Sequence, residues 1–317
     1  FKIYKSFEKD LNLNEDFIVA VSGGPDSLAL SFLSKIYSIK KKLKVKYFHV
    51  DHKLRNNSTN EAKLVKLLLK KLSSNTEILT WIGKKPKSNI QSVARDKRYQ
   101  LLIKQAKKLK INNILLGHHK DDLIENFFIR ILRGSGLNGL VSLDQKTTQQ
   151  NVNLIRPLLK FSKIDLEYIT KKVFKNYVKD PSNKNDQFKR VKIRNFIENL
   201  ELEGLDKEKF NLTIKNLKFA NESIKFFVEK NLKDNSTILN ISKSIILNKL
   251  FFYQPEEVVF RSFTEVLKIV GKNFYPPRGK KIYLLINQLK KRDSFKTTIG
   301  NCIISKVNNT IIVSKEH

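Results

Sequence analysis

The sequence predicts a doubly wound α/β domain followed by a second, mostly helical domain. Three observations support this: strand and helix patterns alternate along the first half, a Gly-rich turn joins the first strand to its helix, and the alternation later stops. Alternating β and α elements form a parallel sheet with helices on both faces, because right-handed crossovers connect the strands. A length of 317 residues is typical of two domains, which we place at residues 1–200 and 201–317.

Four apolar runs in the first domain have strand character, and helical patterns follow them. The runs are residues 17–21, 45–50, 77–81 and 114–116. Ser58 and Ser88, each three residues before Glu61 or Gln91, predict capping boxes at two helix starts. Because ligands bind beyond the carboxyl ends of parallel strands, the polar residues that follow these runs form the candidate site.

Helical patterns dominate the second domain and the segment before it, over residues 187–231, 255–270 and 280–291. Residues 302–304 and 311–313 are apolar runs joined by an Asn-Asn turn, which predicts a small β-hairpin at the end of the domain. No cluster of catalytic residue types occurs in this part of the sequence, so we expect it to bind substrate.

The charge balance favours a polyanionic partner. The chain has 62 Lys and Arg against 30 Asp and Glu, a net charge of +32, with a pI near 10.0. An AT-rich genome explains lysine over arginine, but it would normally raise Asp and Glu as well. An excess this large favours nucleic acid over codon bias alone.

The sequence predicts a cytoplasmic protein without a membrane segment. No apolar stretch approaches the ~18 residues of a membrane span, and the first residues lack the apolar region of a signal peptide. Cys302 is the only cysteine, which excludes an internal disulfide and a Cys-based metal cluster within one chain.

A Ser-Gly-Gly-Pro-Asp-Ser segment lies between the first strand and the first helix of the α/β pattern. Such a turn directs backbone N–H groups at phosphate, near the positive end of the helix dipole. It contains no lysine and is therefore not a Walker A loop. An ordinary Ser-rich and Gly-rich turn is the alternative. The segment resembles the pyrophosphate loop of ATP pyrophosphatases, which implies ATP binding by Ser22, Gly23, Gly24, Pro25, Asp26 and Ser27.

A second polar cluster, residues 117–126, follows the fourth strand and contains His118, His119, Asp121, Asp122 and Glu125. A transition-metal site is one interpretation, although the spacing is not that of a zincin helix. Mg²⁺ on ATP phosphates fits the two aspartates better, because Mg²⁺ prefers oxygen ligands and often takes one or two carboxylates. Simple N-capping of the following helix is the third alternative.

Further candidates surround these clusters, and each has an ordinary alternative. His49 and Asp51 follow the second strand and suit contact with a nucleoside, or are polar loop residues. Arginines with helical spacing suit phosphate contact, or form solvated ion pairs. Near residue 134 the alternative is a helix C-terminus, with cations at the dipole end and glycine as its stop. The candidates for substrate contact are Arg95, Arg98, Arg130, Arg133, Ser135 and Arg194.

Taken in order, these segments resemble the tRNA(Ile)-lysidine synthetase family over residues 15 to 200. Beyond residue 200 the chain is only compatible with the tRNA-binding region of that family. The resemblance implies a Rossmann-like, adenine nucleotide α-hydrolase-like sheet. The matching segments are residues 22–27, 49–55 with 61–62, 94–95 with 98–99, 116–122 with 125–126, 133–137, 156–159, and 180–183 with 194–195.

The resemblance implies a two-step reaction on the wobble cytidine of a CAU anticodon. The cytidine C2 oxygen attacks the α-phosphorus of ATP and releases pyrophosphate; the ε-amine of free L-lysine then displaces AMP and forms lysidine. Asp26, Asp121 and Asp122 are the implied catalytic residues, with Mg²⁺ on the last two. The implied ATP contacts are the loop, His49, Asp51, Gly117 and His118, and the implied tRNA contacts are the six residues given above.

Three alternatives to this function differ in their requirements. A tRNA thiolase of this superfamily usually relies on paired cysteines, whereas the chain has one. Ligases of small metabolites gain nothing from a charge of +32. A non-catalytic tRNA-binding protein would not need an intact phosphate loop. The sequence leaves open the lysine-binding residues, the general base and the oligomeric state, for which a homodimer is one option.

Overall fold

A computed structural model describes residues 2–55, 57–86, 88–178, 188–239, 244–272 and 277–316. The chain divides into two compact units, residues 1–214 and 215–317. The boundary between the units falls inside a helix of 29 residues, Lys207–Asn235. The division at residue 200 that we made from the sequence stays a prediction.

The described part of the first unit contains the strands β1 (Phe17–Ala20), β2 (Val45–Asp51), β3 (Thr76–Thr80), β4 (Asn113–Leu115), β5 (Lys146–Gln149) and β6 (Val152–Ile155). They form one sheet in the order β3-β2-β1-β4-β6-β5. Neighbouring strands are parallel, except that β5 runs antiparallel to β6. The predicted parallel sheet is confirmed, and β5 and β6 are additions at its edge.

Helices lie on both faces of this sheet. They are α1 (Lys2–Leu11), α2 (Pro25–Lys41), α3 (Ser58–Lys70), α4 (Ile90–Leu109), α5 (Lys120–Ile131), α6 (Leu137–Leu140), α7 (Lys163–Phe174), α8 (Lys189–Leu202) and the first part of α9 (Lys207–Asn235). One apolar core joins the sheet to α1, α2, α3 and α7, and includes Phe7, Tyr37 and Leu166. A second core joins it to α4 and includes Leu102 and Ile103. The doubly wound arrangement is therefore confirmed.

Two helix starts differ from the predicted capping boxes. Ser58 is already inside the first turn of α3, and Asn57 precedes it as the N-cap. α4 begins behind Asn89, whose backbone is left-handed, rather than at the preceding serine. A serine caps a helix only from the position just outside the first turn, so both predictions are wrong. A capping box does open α7, where Ser162 Oγ accepts from the Asp165 N–H at 3.2 Å.

The described part of the second unit combines the rest of α9 with α10 (Glu256–Gly271), α11 (Gly279–Lys291) and the strands β7 (Ser236–Leu239), β8 (Ser244–Leu247), β9 (Ser294–Ile299), β10 (Cys302–Val307) and β11 (Thr310–Lys315). The strands form an antiparallel sheet in the order β7-β8-β11-β10-β9. The predicted hairpin is confirmed as β10 and β11, and three further strands extend it. The buried face of this sheet shares a core with α10 and α11.

Part of the sequence interpretation falls outside the described residues, namely the family segment 180–183 and the predicted helix start at Gln187. From Lys189 onward, α8 and α9 confirm the helical prediction, and Gly204, with φ +99°, lies between them. No helix in the described ranges combines the length and the apolar character that crossing a membrane requires.

Candidate active site at the carboxyl edge of the parallel sheet

The candidate phosphate loop, residues 22–27, connects β1 to α2 and is organised around Ser27. Ser27 Oγ accepts hydrogen bonds from the backbone N–H groups of Ser22 (3.2 Å) and Gly23 (3.1 Å). It also donates to the Gly24 carbonyl at 3.0 Å. These bonds close a tight turn at the N-terminus of α2, where the partial positive charge of the helix favours phosphate.

Residues after β6 hold this loop from outside. Gly23 has φ +92°, and a Cβ there would lie 2.5 Å from Val65 Cγ2 and 2.8 Å from Val178 Cγ2, so glycine is required. The Val178 N–H donates to the Gly23 carbonyl at 2.9 Å. Thr170 Oγ1, on α7, donates to the carbonyl of Pro25, the first residue of α2, at 2.6 Å. We call Thr170 and Val178 the α7 clasp.

Gly117 brings the end of β4 against the same loop. A Cβ on Gly117 would lie 3.2 Å from the Ser27 nitrogen, closer than nearly all real contacts, so the missing side chain permits the approach. Gly117 thereby places His118 and His119 beside the loop, and the two predicted clusters meet at one edge of the sheet.

His119 lies among three carboxylates. Its Nε2 is 3.8 Å from Asp26 Oδ2 and 3.7 Å from Asp122 Oδ2, and its Nδ1 is 3.4 Å from Asp121 Oδ2. Burial alone would lower the pKa of His119, but the carboxylates outweigh burial and raise that pKa to about 9. The ring is therefore an imidazolium at neutral pH. Asp122 Oδ2 also accepts the His119 N–H at 2.9 Å, which caps α5.

The three carboxylates differ in their ionisation. Burial raises the pKa of Asp26, against the attraction of His119. Contact with His119 lowers the pKa of Asp121. Burial opposes the charge of Asp122, but the charged His119 outweighs burial and lowers the Asp122 pKa. Asp26 Oδ1 is buried without a hydrogen-bond partner among the described residues. A cation or a hydrogen-bond donor would supply the partner that this buried oxygen lacks.

His49 and Asp51, at the end of β2, have different local partners. His49 Nδ1 lies 2.8 Å from the Val21 carbonyl; because a carbonyl only accepts, Nδ1 carries the proton and Nε2 is an acceptor. Burial lowers the pKa of His49, so the ring is neutral. Asp51 binds within its own loop, where Oδ1 accepts the Lys53 N–H at 2.9 Å and Oδ2 lies 3.2 Å from Lys53 Nζ.

A group of arginines lies near His118. The Cζ atoms of Arg95 and Arg98 are 5.1 and 5.6 Å from the ring centroid of Tyr99, all on α4. Burial, together with the charges of Arg98, Arg190 and Arg156, lowers the pKa of Arg95 to about 10. The guanidinium remains charged at neutral pH, so positive charge accumulates here.

His118 borders these arginines. Burial lowers the pKa of His118 well below its ordinary value; Asp122 opposes this shift, whereas Arg95, Arg156 and Arg98 add to it. His118 is therefore a neutral ring, unlike the neighbouring His119.

Arg194 connects α8 to α5 through Glu125. The Arg194 Nε lies 2.5 Å from Glu125 Oε1, and its Nη2 lies 3.2 Å from Oε2, which is a bidentate ion pair. Glu125 is 5% exposed. Arg194 thus has a partner inside the protein, and its contact with substrate stays a prediction.

Arg130, Arg133 and Ser135 lie at the end of α5. The Ser135 N–H donates to the Arg130 carbonyl at 3.0 Å, and Gly134 has φ +65°. This geometry confirms the helix-end interpretation. Arg133 is exposed, whereas Arg130 and Ser135 are partly buried. Their contact with substrate also stays a prediction.

Comparison with known proteins agrees with this geometry. Residues 2–201 match the family model described as the PP-loop domain. The chain is 31% identical over 306 residues to the tRNA(Ile)-lysidine synthase of Wolbachia pipientis wMel, covering 96% of this chain and 71% of that protein. It is 32% identical over 311 residues to that of Orientia tsutsugamushi (strain Boryong), covering 96% and 70%. The chain belongs to the tRNA(Ile)-lysidine synthase family.

A solved structure with a similar fold is the U34-tRNA thiolase NcsA from Methanococcus maripaludis, with its [4Fe-4S] cluster. The alignment has a TM-score of 0.59, 16% identity, and covers 70% of this chain and 78% of that chain. At this identity the likeness shows the fold alone. The tRNA(Ile)-lysidine synthase family and the thiolase therefore share an α/β architecture.

Several residues of the site have structural roles that the sequence did not indicate. Glu125 was a candidate metal ligand of the second cluster, whereas in the structure it forms an ion pair with Arg194. Arg156 and Tyr99 lay in segments of the family resemblance, without a role. Thr170 and Val178 had no recognisable signal, since their importance arises from contacts with a distant loop.

Proposed function

We propose that this chain ligates L-lysine to C2 of the wobble cytidine in the CAU anticodon of tRNA(Ile), forming lysidine. ATP is cleaved to AMP and pyrophosphate, and the modified tRNA reads AUA in place of AUG. The observation that supports this is the meeting of the phosphate loop and the His119 carboxylate cluster at one sheet edge, in a chain of this family.

The phosphate loop binds the part of ATP that leaves as pyrophosphate. The N-terminus of α2 and the hydroxyl groups of Ser22 and Ser27 supply its polar groups. We assign contact with the nucleoside to the residues that flank the loop at the ends of β2 and β4, namely His49, Asp51, Gly117 and His118.

Mg²⁺ is the cation that we assign to the carboxylates Asp121 and Asp122, with Asp26 beside them. The donor set fits, because all three offer oxygen and Asp26 Oδ1 is buried without a partner in the described structure. In the described ranges no three His, Cys, Asp or Glu side chains are arranged to hold a metal ion by themselves, so phosphate oxygens of ATP would have to complete the coordination of Mg²⁺. When bound, Mg²⁺ neutralises phosphate charge.

The reaction consists of two displacements. The cytidine C2 oxygen attacks the α-phosphorus of ATP and pyrophosphate leaves; the lysine ε-amine then attacks C2, and AMP leaves with that oxygen. The His119 imidazolium and the N-terminus of α2 stabilise the negative charge on the leaving pyrophosphate. The ε-ammonium of lysine loses a proton before it attacks, and a carboxylate of the site accepts that proton.

The tRNA binds through the positive charge of the chain, which is +32 overall. Lys and Arg contacts to phosphate position a nucleic acid, whereas contacts to bases specify it. We assign substrate contacts to Arg95, Arg98, Arg130, Arg133, Ser135 and Arg194.

The test is incubation with ATP, labelled L-lysine and a CAU-anticodon tRNA(Ile) transcript. We expect lysine incorporation that matches AMP and pyrophosphate release one to one, and a transcript with the wobble cytidine changed to uridine serves as the control. Release of pyrophosphate without lysine incorporation would contradict lysine as the nucleophile. Binding of tRNA without any ATP cleavage would favour the non-catalytic binding protein.

A further inference from the structure

We propose that Lys207 is a counterion that holds Asp121 before ATP binds and releases it to Mg²⁺, so that the metal enters the site together with the nucleotide. The inference deepens the proposed function and rests on it, since Mg²⁺ is assigned to Asp121 there. Both residues belong to the first unit.

Lys207 is the first residue of α9, where a positive charge is locally unfavourable. Asp206 caps this helix, because its Oδ1 accepts the backbone N–H groups of Glu208 at 2.7 Å and Lys209 at 3.2 Å. The partial positive charge of a helix N-terminus favours acidic residues in the first turn and disfavours lysine. Local preferences are broken mostly at functional or strained sites, so the contacts of Lys207 indicate its role.

The ammonium group of Lys207 bridges two carboxylates. Its Nζ lies 3.6 Å from Asp121 Oδ1, in the candidate site, and 2.8 Å from Glu201 Oε1, near the end of α8. The three side chains are between 28% and 34% exposed, so water reaches them and the ammonium group can exchange partners. Glu201 continues to neutralise Lys207 when another cation binds Asp121.

The two oxygens of Asp121 have different neighbours. Oδ2 accepts the Lys163 N–H at 3.3 Å and lies 3.4 Å from His119 Nδ1. Oδ1 faces Lys207 at 3.6 Å, which is longer than a hydrogen bond. The backbone and the imidazolium therefore orient the carboxylate, whereas the contact on Oδ1 is long and readily displaced.

Aromatic packing holds the start of α9 against α5. Phe210, on α9, stacks on Phe128 with ring centroids 5.2 Å apart, and it contacts Phe127 edge-on at 5.3 Å. These contacts do not depend on the ion pair of Lys207. The exchange of partners therefore requires a movement of the Lys207 side chain alone.

The charges of the site explain why the exchange requires ATP. Three carboxylates, Asp26, Asp121 and Asp122, surround His119, whose single positive charge balances one of them. Lys207 adds a second positive charge, which repels a divalent cation that approaches Asp121. Mg²⁺ is usually bound through one or two carboxylates together with substrate phosphates. The phosphates of ATP therefore supply the negative charge and the oxygens with which Mg²⁺ displaces Lys207.

The experiment measures the binding of Mn²⁺, which shares the oxygen ligands of Mg²⁺, by electron paramagnetic resonance in the absence of ATP. Lys207→Met keeps the side-chain length and removes the charge, and Lys209→Met, at an exposed lysine of the same helical turn, is the matched control. We expect Lys207→Met to bind Mn²⁺ at least about tenfold more tightly than the wild type, because a nearby like charge is removed. Lys207→Arg and Lys209→Met should keep the wild-type affinity, and adding Asp121→Asn to Lys207→Met should cancel the gain.

Unchanged or weaker Mn²⁺ binding by Lys207→Met would overturn the inference, since the loss of a residue that only orients Asp121 lowers the affinity. An equal gain in Lys209→Met would assign the effect to net charge, and a gain that survives Asp121→Asn would place the metal elsewhere; either result refutes the exchange. The proposed function fails separately, if the wild type incorporates no lysine or if Asp121→Asn leaves Mn²⁺ binding in the presence of ATP unchanged.

Discussion

His119 is the residue on which the charges of the site converge. Three carboxylates within 4 Å keep it protonated at neutral pH, although it is buried. A charged imidazole at this position balances the carboxylates, and in the proposed function it stabilises the leaving pyrophosphate. The stability of the site and its chemistry therefore depend on the same proton.

This proton predicts a pH dependence of stability. Because folding raises the pKa of His119 from 6.5 to about 9, its contribution is complete below pH 6.5 and is lost as the pH rises through 9. We expect the free energy of unfolding of the wild type to fall between these values relative to His119→Gln, by on the order of 3 kcal/mol. Urea denaturation of both proteins measures this, and parallel pH profiles would contradict it.

The charge of Asp122 is expected to affect the rate of lysine incorporation and not the affinity for tRNA. Asp122→Asn keeps an oxygen that can accept the His119 N–H and cap α5, but it removes the charge. We expect kcat for lysine incorporation to fall at least about 100-fold, while the tRNA Kd changes less than about threefold. Asp26→Asn should behave alike, and Asp96→Asn, an exposed carboxylate on α4, is the control. A parallel loss of tRNA affinity would count against these roles.

At the scale of elements, α7 and the residues after it determine the shape of the phosphate loop. Thr170→Val removes the hydrogen bond to Pro25 with little change in shape. We expect a loss of about 1 kcal/mol in stability and a several-fold rise in the KM for ATP, with kcat nearly unchanged. Thr170→Ser should restore both.

The matched control for this prediction is Thr264→Val. Thr264 Oγ1 donates to the Phe260 carbonyl at 2.7 Å on α10, in the other unit. We expect Thr264→Val to lower the stability by a similar amount and to leave the KM for ATP unchanged. If both variants raise the KM equally, the α7 clasp has no specific effect on the loop.

Among the strands that the sequence predicted correctly, β1 and β4 are buried along nearly their whole length, and each contains an apolar run. β5 is short and partly exposed, and β9 alternates between exposed and partly covered positions, so neither stood out from the surrounding loops. The capping boxes failed because the serine pattern fits more than one register, and the helix starts are determined by packing.

In the candidate site, the sequence predicted the parts that are contiguous along the chain. Residues 22–27 and 117–122 are contiguous motifs, and strand order places both at one edge of the sheet. The ion pair of Glu125 with Arg194 joins residues 69 positions apart, and the clasp joins Val178 to Gly23. Local patterns contain no information about such pairings, so these contacts, unlike several of the residues that make them, emerge only from the folded chain.

At the scale of the whole molecule, the net charge of +32 predicts strongly salt-dependent tRNA binding. Each neutralised phosphate releases condensed counterions, so the affinity should fall by about 10³-fold or more between 50 and 200 mM salt for six or more contacts. Filter binding or fluorescence titration across this range measures the slope. A tRNA affinity that does not change with salt concentration would show that the positive charge has another role.

The wobble nucleoside of the reacted tRNA reports whether this sheet edge joins lysine to cytidine. After reaction with ATP and lysine, the tRNA is digested to nucleosides and the wobble nucleoside is identified by mass spectrometry. We predict cytidine with the mass of one lysine added and one water lost. An unmodified cytidine while ATP is consumed, or a nucleoside carrying sulfur, would contradict lysine ligation by this chain.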